Sequence, residues 1–134
     1  MKKVQTYSVP IKLEVGLTKK KTHYLNLNKY KQWHFQENNR LKKLFKISVA
    51  KVIRQLEPIK GKCKITYTIY YENNRKFDID NVGSVISKFN SDALVELGVL
   101  VEDNYDYVVA IEFKFGGIDR ENPRCDVMLE ELDE

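Results

Sequence analysis

The segment from residue 63 to residue 98 constrains the fold of this chain more than any other feature. Residues 63–71 (CKITYTIYY) alternate and are rich in β-branched and aromatic side chains, which predicts a strand. The apolar residues after it recur every three or four positions, as on one face of a helix; they are Val82, Val85, Ile86, Phe89, Ala93, Leu94 and Leu97. Asp80 is predicted to cap this helix and Gly98 to end it.

The N-terminal half adds a strand and a helical region. Residues 6–15 alternate loosely between apolar and polar side chains, which predicts a half-buried strand. Residues 29–56 carry apolar side chains at helical spacing between Lys and Arg, with Asn28 as the expected N-cap. A break near residues 38–39 would divide this region into two helices, and the spacing leaves both arrangements open.

Two further strands complete the C-terminal half. They are predicted over residues 107–115 and 124–132, with a loop at Gly116 and Gly117 between them. The order β-α-β-α-β-β indicates an α+β fold, in which helices pack against a small mixed β-sheet. A chain of 134 residues is long enough for one hydrophobic core, so we expect residues 1–134 to form a single domain.

The composition excludes several classes of protein. Apolar residues make up 43% and charged residues 31%, as in ordinary soluble globular proteins. No apolar run approaches the roughly 20 residues of a membrane span, and the N-terminal segment lacks the apolar core of a signal peptide. Cys63 and Cys125 are far apart and are expected to be buried thiols, so we expect a cytoplasmic protein with no disulfide or zinc site.

Charge is divided unevenly along the chain. The net charge is +4, but residues 1–76 contain 19 Lys or Arg against 4 Asp or Glu, and residues 77–134 contain 4 against 15. The basic half can bind nucleic acid, because Lys and Arg neutralise phosphates without reading the sequence. The candidates for phosphate contact are Lys19, Lys20, Lys21, Lys29, Lys31, Lys42 and Lys43. A solvated, Lys-rich helix face is the simpler alternative.

The acidic half contains a candidate metal site. Asp78 and Asp80 flank Ile79, and in extended backbone residues two apart point to the same side. After the helix, residues 99–101 can lead the chain back so that Asp103 approaches the pair. Three converging carboxylates suit Mg²⁺ or Mn²⁺, which take oxygen ligands. The same motifs also occur as a plain helix N-cap and a plain turn, so the pattern alone leaves both interpretations open.

Longer motifs resemble those of a known family. The sequence FDIDN at residues 77–81, followed by SxxxKFNSDALVELGVLVEDN at residues 84–104, resembles the RusA-type Holliday-junction resolvases of bacteria and their phages. The stretch LNLNKYKQWHF, followed by a basic helix, also looks like the phage branch of that family. The resemblance implies a homodimer that cuts four-way DNA junctions with Mg²⁺ or Mn²⁺, with Asp78, Asp80 and Asp103 as the metal carboxylates.

Two features depart from the family pattern. The functional Lys of the family lies four residues after the second Asp, where this chain has Ser84, whereas Lys88 lies eight residues after it. An added helical turn would put Lys88 on one stripe with Asp80 and Ser84, about 12 Å from Asp80, which suits a phosphate contact better than a metal contact. An ion pair with Asp92 is the alternative role for Lys88. The terminal acid pair is Glu-Asp in place of Asp-Asp, which leaves Glu102 as a candidate fourth ligand.

Aromatic residues near the N-terminus have two possible roles. Trp33, His34 and Phe35 are candidates to contact exposed bases near a junction. Core packing is the expected role of Trp33 and Phe35, and surface roles are expected for His34 and His23.

With the resemblance, these features predict a structure-selective endodeoxyribonuclease that resolves Holliday junctions by metal-assisted phosphodiester hydrolysis. Its catalytic residues would be Asp78, Asp80 and Asp103, with Lys88 in the role of the family Lys. The alternative is a non-catalytic nucleic-acid-binding protein of the same fold, which the altered Lys spacing favours.

Overall fold

The computed structural model describes residues 3–16 and 18–132 and confirms an α+β fold with a mixed sheet. The elements in chain order are β1 (Val4–Val9), β2 (Lys12–Val15), β3 (Lys21–Tyr24), α1 (Leu27–Gln32), α2 (Phe35–Ile53), β4 (Cys63–Tyr71), α3 (Ile79–Glu96), β5 (Val108–Ile118) and β6 (Arg124–Glu131). Within these ranges no helix is long and apolar enough to cross a membrane.

The main sheet has four strands in the order β1-β6-β4-β5. β4 and β5 are parallel and are joined through α3, whereas β6 is antiparallel to both β4 and β1. Because parallel neighbours need a crossover connection, α3 runs back along the sheet from the end of β4 to the start of β5. β2 and β3 form a separate antiparallel hairpin.

The core lies between one face of the sheet and the helices α2 and α3. Alternate residues of β4, namely Ile65, Tyr67 and Ile69, are fully buried on this face. α3 approaches β5 closely at Gly83, where a Cβ atom would lie only 2.6 Å from the ring of Phe113. Glycine is therefore required for this close contact between helix and strand.

A buried polar network crosses the core. The Tyr7 hydroxyl donates to Asn90 Oδ1 over 2.5 Å, and Asn90 Nδ2 donates to the Tyr67 hydroxyl over 3.1 Å. Asn90 is completely buried, so both of its hydrogen-bonding ends are used where water is absent. Cys63 and Cys125 are both free and buried, which confirms the expectation of two buried thiols. Burial raises the pKa of the Cys63 thiol to about 11 and that of the Cys125 thiol to about 12.

The N-terminal half differs from the prediction in four ways. Residues 6–15 form parts of two strands, which end and restart around Pro10, a residue without an amide hydrogen for a sheet. Residues 21–28, where no strand or helix was predicted, contain β3 and the start of α1. Asn26, not Asn28, caps α1, and its side chain accepts a hydrogen bond from Lys29 N over 2.9 Å. The helical region is indeed divided, but at Trp33 and not at residues 38–39.

The C-terminal half follows the prediction more closely. The predicted bounds of β4 are confirmed, and Gly98 ends the turn after α3 with a φ of 83°, as expected of a glycine stop. The N-cap of α3 is Asp78 and not Asp80. The loop predicted at Gly116 and Gly117 is wrong, because β5 continues through both with a shift in its pairing to β4.

Candidate functional site

Asp78 and Asp80 lie at the N-terminal end of α3, and both are exposed. Asp78 occupies the N-cap position, but its carboxylate makes no capping hydrogen bond; its one side-chain contact is with Asn81 Nδ2 at 3.5 Å. Ile79 already belongs to α3, so Asp78 and Asp80 are not two residues of one extended segment. The prediction that an extended backbone points both carboxylates to the same side therefore does not apply. Within the described chain, no Lys or Arg forms an ion pair with either carboxylate.

Aromatic contacts fix where this pair lies relative to the sheet. The ring of Phe77 stacks on Tyr71 with centroids 4.5 Å apart and meets Phe115 edge-on at 5.9 Å. Tyr71 ends β4 and Phe115 is near the end of β5, so the pair lies at the carboxyl end of these two parallel strands. A cleft of about 360 Å³ opens there, lined by Asn26, Asn28, Tyr71, Lys76, Phe77, Asp78, Asn81 and Val82.

Asp103 is exposed at the opposite end of the same strands. It lies five residues before β5, and the neighbouring backbone is fixed to the start of β4 by a hydrogen bond from Cys63 N to Tyr107 O over 2.7 Å. Between the two ends runs α3, whose 18 residues span about 27 Å. The expectation that residues 99–101 return Asp103 to the pair is therefore wrong for a single chain, because parallel strands place the two ends of α3 at opposite edges of the sheet.

The described residues contain no group of three or more His, Cys, Asp or Glu side chains close enough to share a metal ion. Glu102 is exposed beside Asp103, at the far end from Asp78 and Asp80, so it does not supply a further ligand within the chain. The fit to Mg²⁺ or Mn²⁺ therefore depends on two carboxylates. Mg²⁺ is commonly held in proteins by one or two carboxylates together with water and substrate phosphate, so the pair suits this ion class.

A larger basic cleft adjoins the carboxylate pair. Its volume is about 990 Å³, and its lining includes the basic residues Lys21, Lys29, Arg40 and Arg75 together with His23, Trp33, His34 and Glu37. Neighbouring residues of two chain segments, 24–29 and 75–78, line one cleft or the other, so the basic cleft lies near the cleft that Asp78 lines. Lys21 and Lys29 were among the predicted phosphate contacts, whereas Arg40 and Arg75 belong to the predicted basic half but were not singled out.

His23 forms part of the inner wall of the basic cleft. Its side chain is buried, and Nε2 lies 3.3 Å from Glu37 Oε1. Burial lowers its pKa, although Glu37 opposes this effect, so the neutral form is favoured near neutral pH. The expected surface role for His23 is therefore wrong, and the residue acts as a packed support for the cleft.

The other aromatic residues divide between core and surface. Trp33 contacts His23, Tyr30 and Phe89 at ring distances between 6.0 and 6.5 Å, which confirms its packing against the core. Phe35 is 70% exposed at the start of α2, so its predicted core role is wrong.

Lys88 lies exposed on α3 and is not paired with Asp92. Its Nζ is 5.5 Å from the centre of the Tyr30 ring, whereas Asp92 pairs with Lys42. Burial alone would raise the pKa of Tyr30, but hydrogen bonding from Asn38 and the charge of Lys88 lower it overall. Ser84, one turn earlier, has a buried Oγ with no hydrogen-bond partner in the described part of the chain.

Comparison with models of known protein families and with curated proteins finds no match for this chain. The resemblance to junction resolvases therefore depends on the motifs in residues 77–104 and stays a prediction.

Proposed function

We propose that this protein is a structure-selective endodeoxyribonuclease that hydrolyses phosphodiester bonds in branched DNA, with the four-way junction as its substrate. The observation that carries the proposal is the proximity of two surfaces. Asp78 lines a small cleft next to Asp80, and in the described part of the chain neither carboxylate pairs with Lys or Arg. The chain segments that line this cleft also contribute to the basic cleft. Exposed carboxylates that no Lys or Arg neutralises in the described chain are available to bind a cation, and Mg²⁺ needs only one or two of them together with water and substrate phosphate.

Asp78 and Asp80 would hold Mg²⁺ or Mn²⁺ beside the scissile phosphate. Bound there, such an ion activates a water molecule and stabilises the charge that develops on the phosphate. The amide groups at the N-terminal end of α3 favour a phosphate at the same place, because the first turn of a helix presents unpaired N–H groups and partial positive charge. Lys76 and Asn81 line the same cleft and can hydrogen-bond to the phosphate oxygens.

The basic cleft accounts for binding to the DNA arms. Lys21, Lys29, Arg40 and Arg75 provide phosphate contacts on a surface wide enough for a backbone strand. Phe35 is exposed near this surface and is available to stack on an unpaired base, as occurs at a branch point.

Lys88 is better suited than Ser84 to the functional Lys position of the resembled family. The Ser84 hydroxyl is buried and has no access to DNA, whereas the Lys88 ammonium group is exposed and free of Asp92. Its place two turns along α3 from Asp80 suits a contact with a flanking phosphate of the substrate.

One observation favours a second candidate, a nucleic-acid-binding protein without catalysis. Only two of the three predicted carboxylates lie at the same end of α3 in one chain, and a pair at a helix N-terminus also stabilises that helix without any metal. The basic cleft would bind DNA equally well in either case.

A cleavage assay separates the two candidates. Purified protein is incubated with a labelled synthetic four-way junction in Mg²⁺, with linear duplex of the same sequence and an EDTA reaction as controls. Cutting of the junction alone, lost in EDTA, supports the endonuclease. Retarded migration without cutting supports the binding protein, and neither cutting nor retardation contradicts both.

A further inference from the structure

A surface groove lies where the C-terminal half of α2 meets the end of α3. Its volume is about 490 Å³. The residues that line it are Lys46, Ile47, Ala50, Lys51, Arg54 and Leu97. Leu97 is the C-cap of α3, and the other five belong to α2 or cap it. An ion pair between Lys46 Nζ and Glu96 Oε2, 2.6 Å apart, joins the two helices beside the groove and holds its walls together.

The floor of this groove is apolar. Ile47 is 69% exposed, more than any other large aliphatic side chain in the described part of the chain. Ala50 lies about one turn later on the same side of α2, and Leu97 is half-buried against the core from α3. A single exposed isoleucine would need no explanation, but adjoining apolar side chains rimmed by charged residues are typical of a surface that another protein covers.

The rim of the groove carries positive charge. Lys51 and Arg54 form no ion pair within the described residues, whereas Lys46 is neutralised by Glu96. None of the lining residues is acidic. Cations near the C-terminal end of α2 also suit the helix dipole, but the dipole gives no reason for an apolar floor beside them. The groove therefore combines unneutralised positive charge with exposed apolar surface.

We propose that this groove docks a short acidic segment of a partner protein that also presents a large apolar side chain. Carboxylates of the segment would pair with Lys51 and Arg54, and the apolar side chain would cover Ile47 and Leu97. From residue 46 to residue 54, α2 rises about 12 Å, which about four residues of extended peptide span. A nucleic-acid strand would neutralise the cations but leave the apolar floor exposed, so the combination of the two favours a peptide.

The groove is remote from the surfaces proposed to act on DNA. Leu97 follows the C-terminal end of α3, whereas Asp78 and Asp80 lie at its N-terminal end, and the 18 residues of the helix span about 27 Å. None of the residues that line the groove also lines the basic cleft. A bound segment would thus attach the protein to its partner while leaving both surfaces open, and the inference does not depend on the proposed function.

Fluorescence anisotropy with a labelled synthetic peptide tests the groove without DNA or metal. The probe is an acidic peptide of about eight residues, built from Asp and Glu with two Phe, which is long enough to pass both ends of the groove. We expect saturable binding to the wild-type protein. A peptide with Ser in place of both Phe should bind at least about tenfold more weakly, because it keeps the charges and loses the apolar side chains.

Matched substitutions locate the binding on the protein. Arg54→Glu should weaken binding of the acidic peptide at least about tenfold, because it sets like charges against each other. Arg120→Glu makes the same change at an exposed arginine after β5, at the opposite end of the sheet, and should have little effect. Ile47→Ser should also weaken binding, whereas Val52→Ser, on another side of α2, should not. Circular dichroism checks that the four variants are folded.

Several outcomes would overturn the proposal. Absence of saturable binding to the wild-type protein, or equal binding of the peptide that lacks Phe, would contradict an acidic and apolar ligand. Equal effects within either matched pair would put the peptide elsewhere on the surface. If Ile47→Ser halves the mass of the protein in light scattering, a second copy covers the groove. If Arg54→Glu weakens binding of labelled duplex DNA and the peptide does not bind, the groove belongs to the nucleic-acid surface.

Discussion

Lys42 of α2 forms an ion pair with Asp92 of α3, with Nζ 3.4 Å from Oδ2. Asp92 lies one turn after Lys88 and would be its ion-pair partner if the role of Lys88 were only structural. The ion pair with Lys42 occupies Asp92 instead. Lys88 instead lies over the ring of Tyr30 and keeps an exposed positive charge on α3.

We expect Lys88→Ala to reduce single-turnover cleavage by about 10- to 150-fold, the effect of losing one charge-assisted hydrogen bond of roughly 1.5–3 kcal/mol. Thermal melts should change little, since the side chain is exposed and its contact with the Tyr30 ring contributes only about 0.5–1 kcal/mol at an exposed site. Lys51→Ala, at an exposed lysine near the end of α2 that is outside the predicted phosphate contacts, is the matched control and should cut normally. Full activity in Lys88→Ala would refute a substrate contact while leaving the carboxylate assignment intact.

Asp80→Asn should abolish cleavage and retain binding to the junction. The change removes a proposed metal ligand but leaves the basic cleft unaltered, and the loss of a negative charge reduces repulsion of the phosphate. Quantitative gel retardation and cleavage on the same junction measure the two effects. Glu96→Gln, at the other end of α3, is the control, and near-normal cutting by folded Asp80→Asn at saturating Mg²⁺ would exclude the assignment.

Binding to the junction should weaken steeply with salt. Each phosphate contact releases a counterion, so log K falls almost linearly with log salt, with a slope of about −0.9 for each contact on duplex DNA. Arg75→Ala should make this slope shallower by about one contact and weaken binding to all DNA similarly. A slope near zero in wild type between about 50 and 200 mM salt would argue against the basic cleft as the DNA surface.

Asn90→Ala should lower the free energy of unfolding by about 2–4 kcal/mol, because it leaves the Tyr7 and Tyr67 hydroxyls without their buried partner. Chemical denaturation measures the change. Asn39→Ala, on the exposed face of α2, should alter stability by less than about 0.5 kcal/mol. Similar losses in the two variants would show that the network contributes nothing particular to the core.

Local patterns in the sequence were sufficient to predict several elements of the fold. The alternation in Cys63–Tyr71, the apolar stripe of α3 and the glycine stop at Gly98 predicted their places correctly, because side-chain periodicity and backbone freedom act within a few residues. The α+β class followed from the order of these elements. The N-terminal half was predicted less well, because β2, β3 and α1 are each six residues or shorter and carry little periodic signal.

Which of the acidic residues lie at the same edge of the sheet depends on the long-range packing of the chain. Spacing along the chain is compatible with Asp103 near Asp78 and equally with Asp103 at the far edge of the sheet. The parallel pairing of β4 with β5 selects the second arrangement, and that pairing depends on contacts between residues more than 40 positions apart. The same long-range packing pairs Asp92 with Lys42 and places Arg40 and Arg75 in one cleft. It also leaves the outer edge of β5 without a neighbouring strand in the described chain. The sequence does not predict these contacts, because no local pattern encodes which surfaces of a chain will face each other.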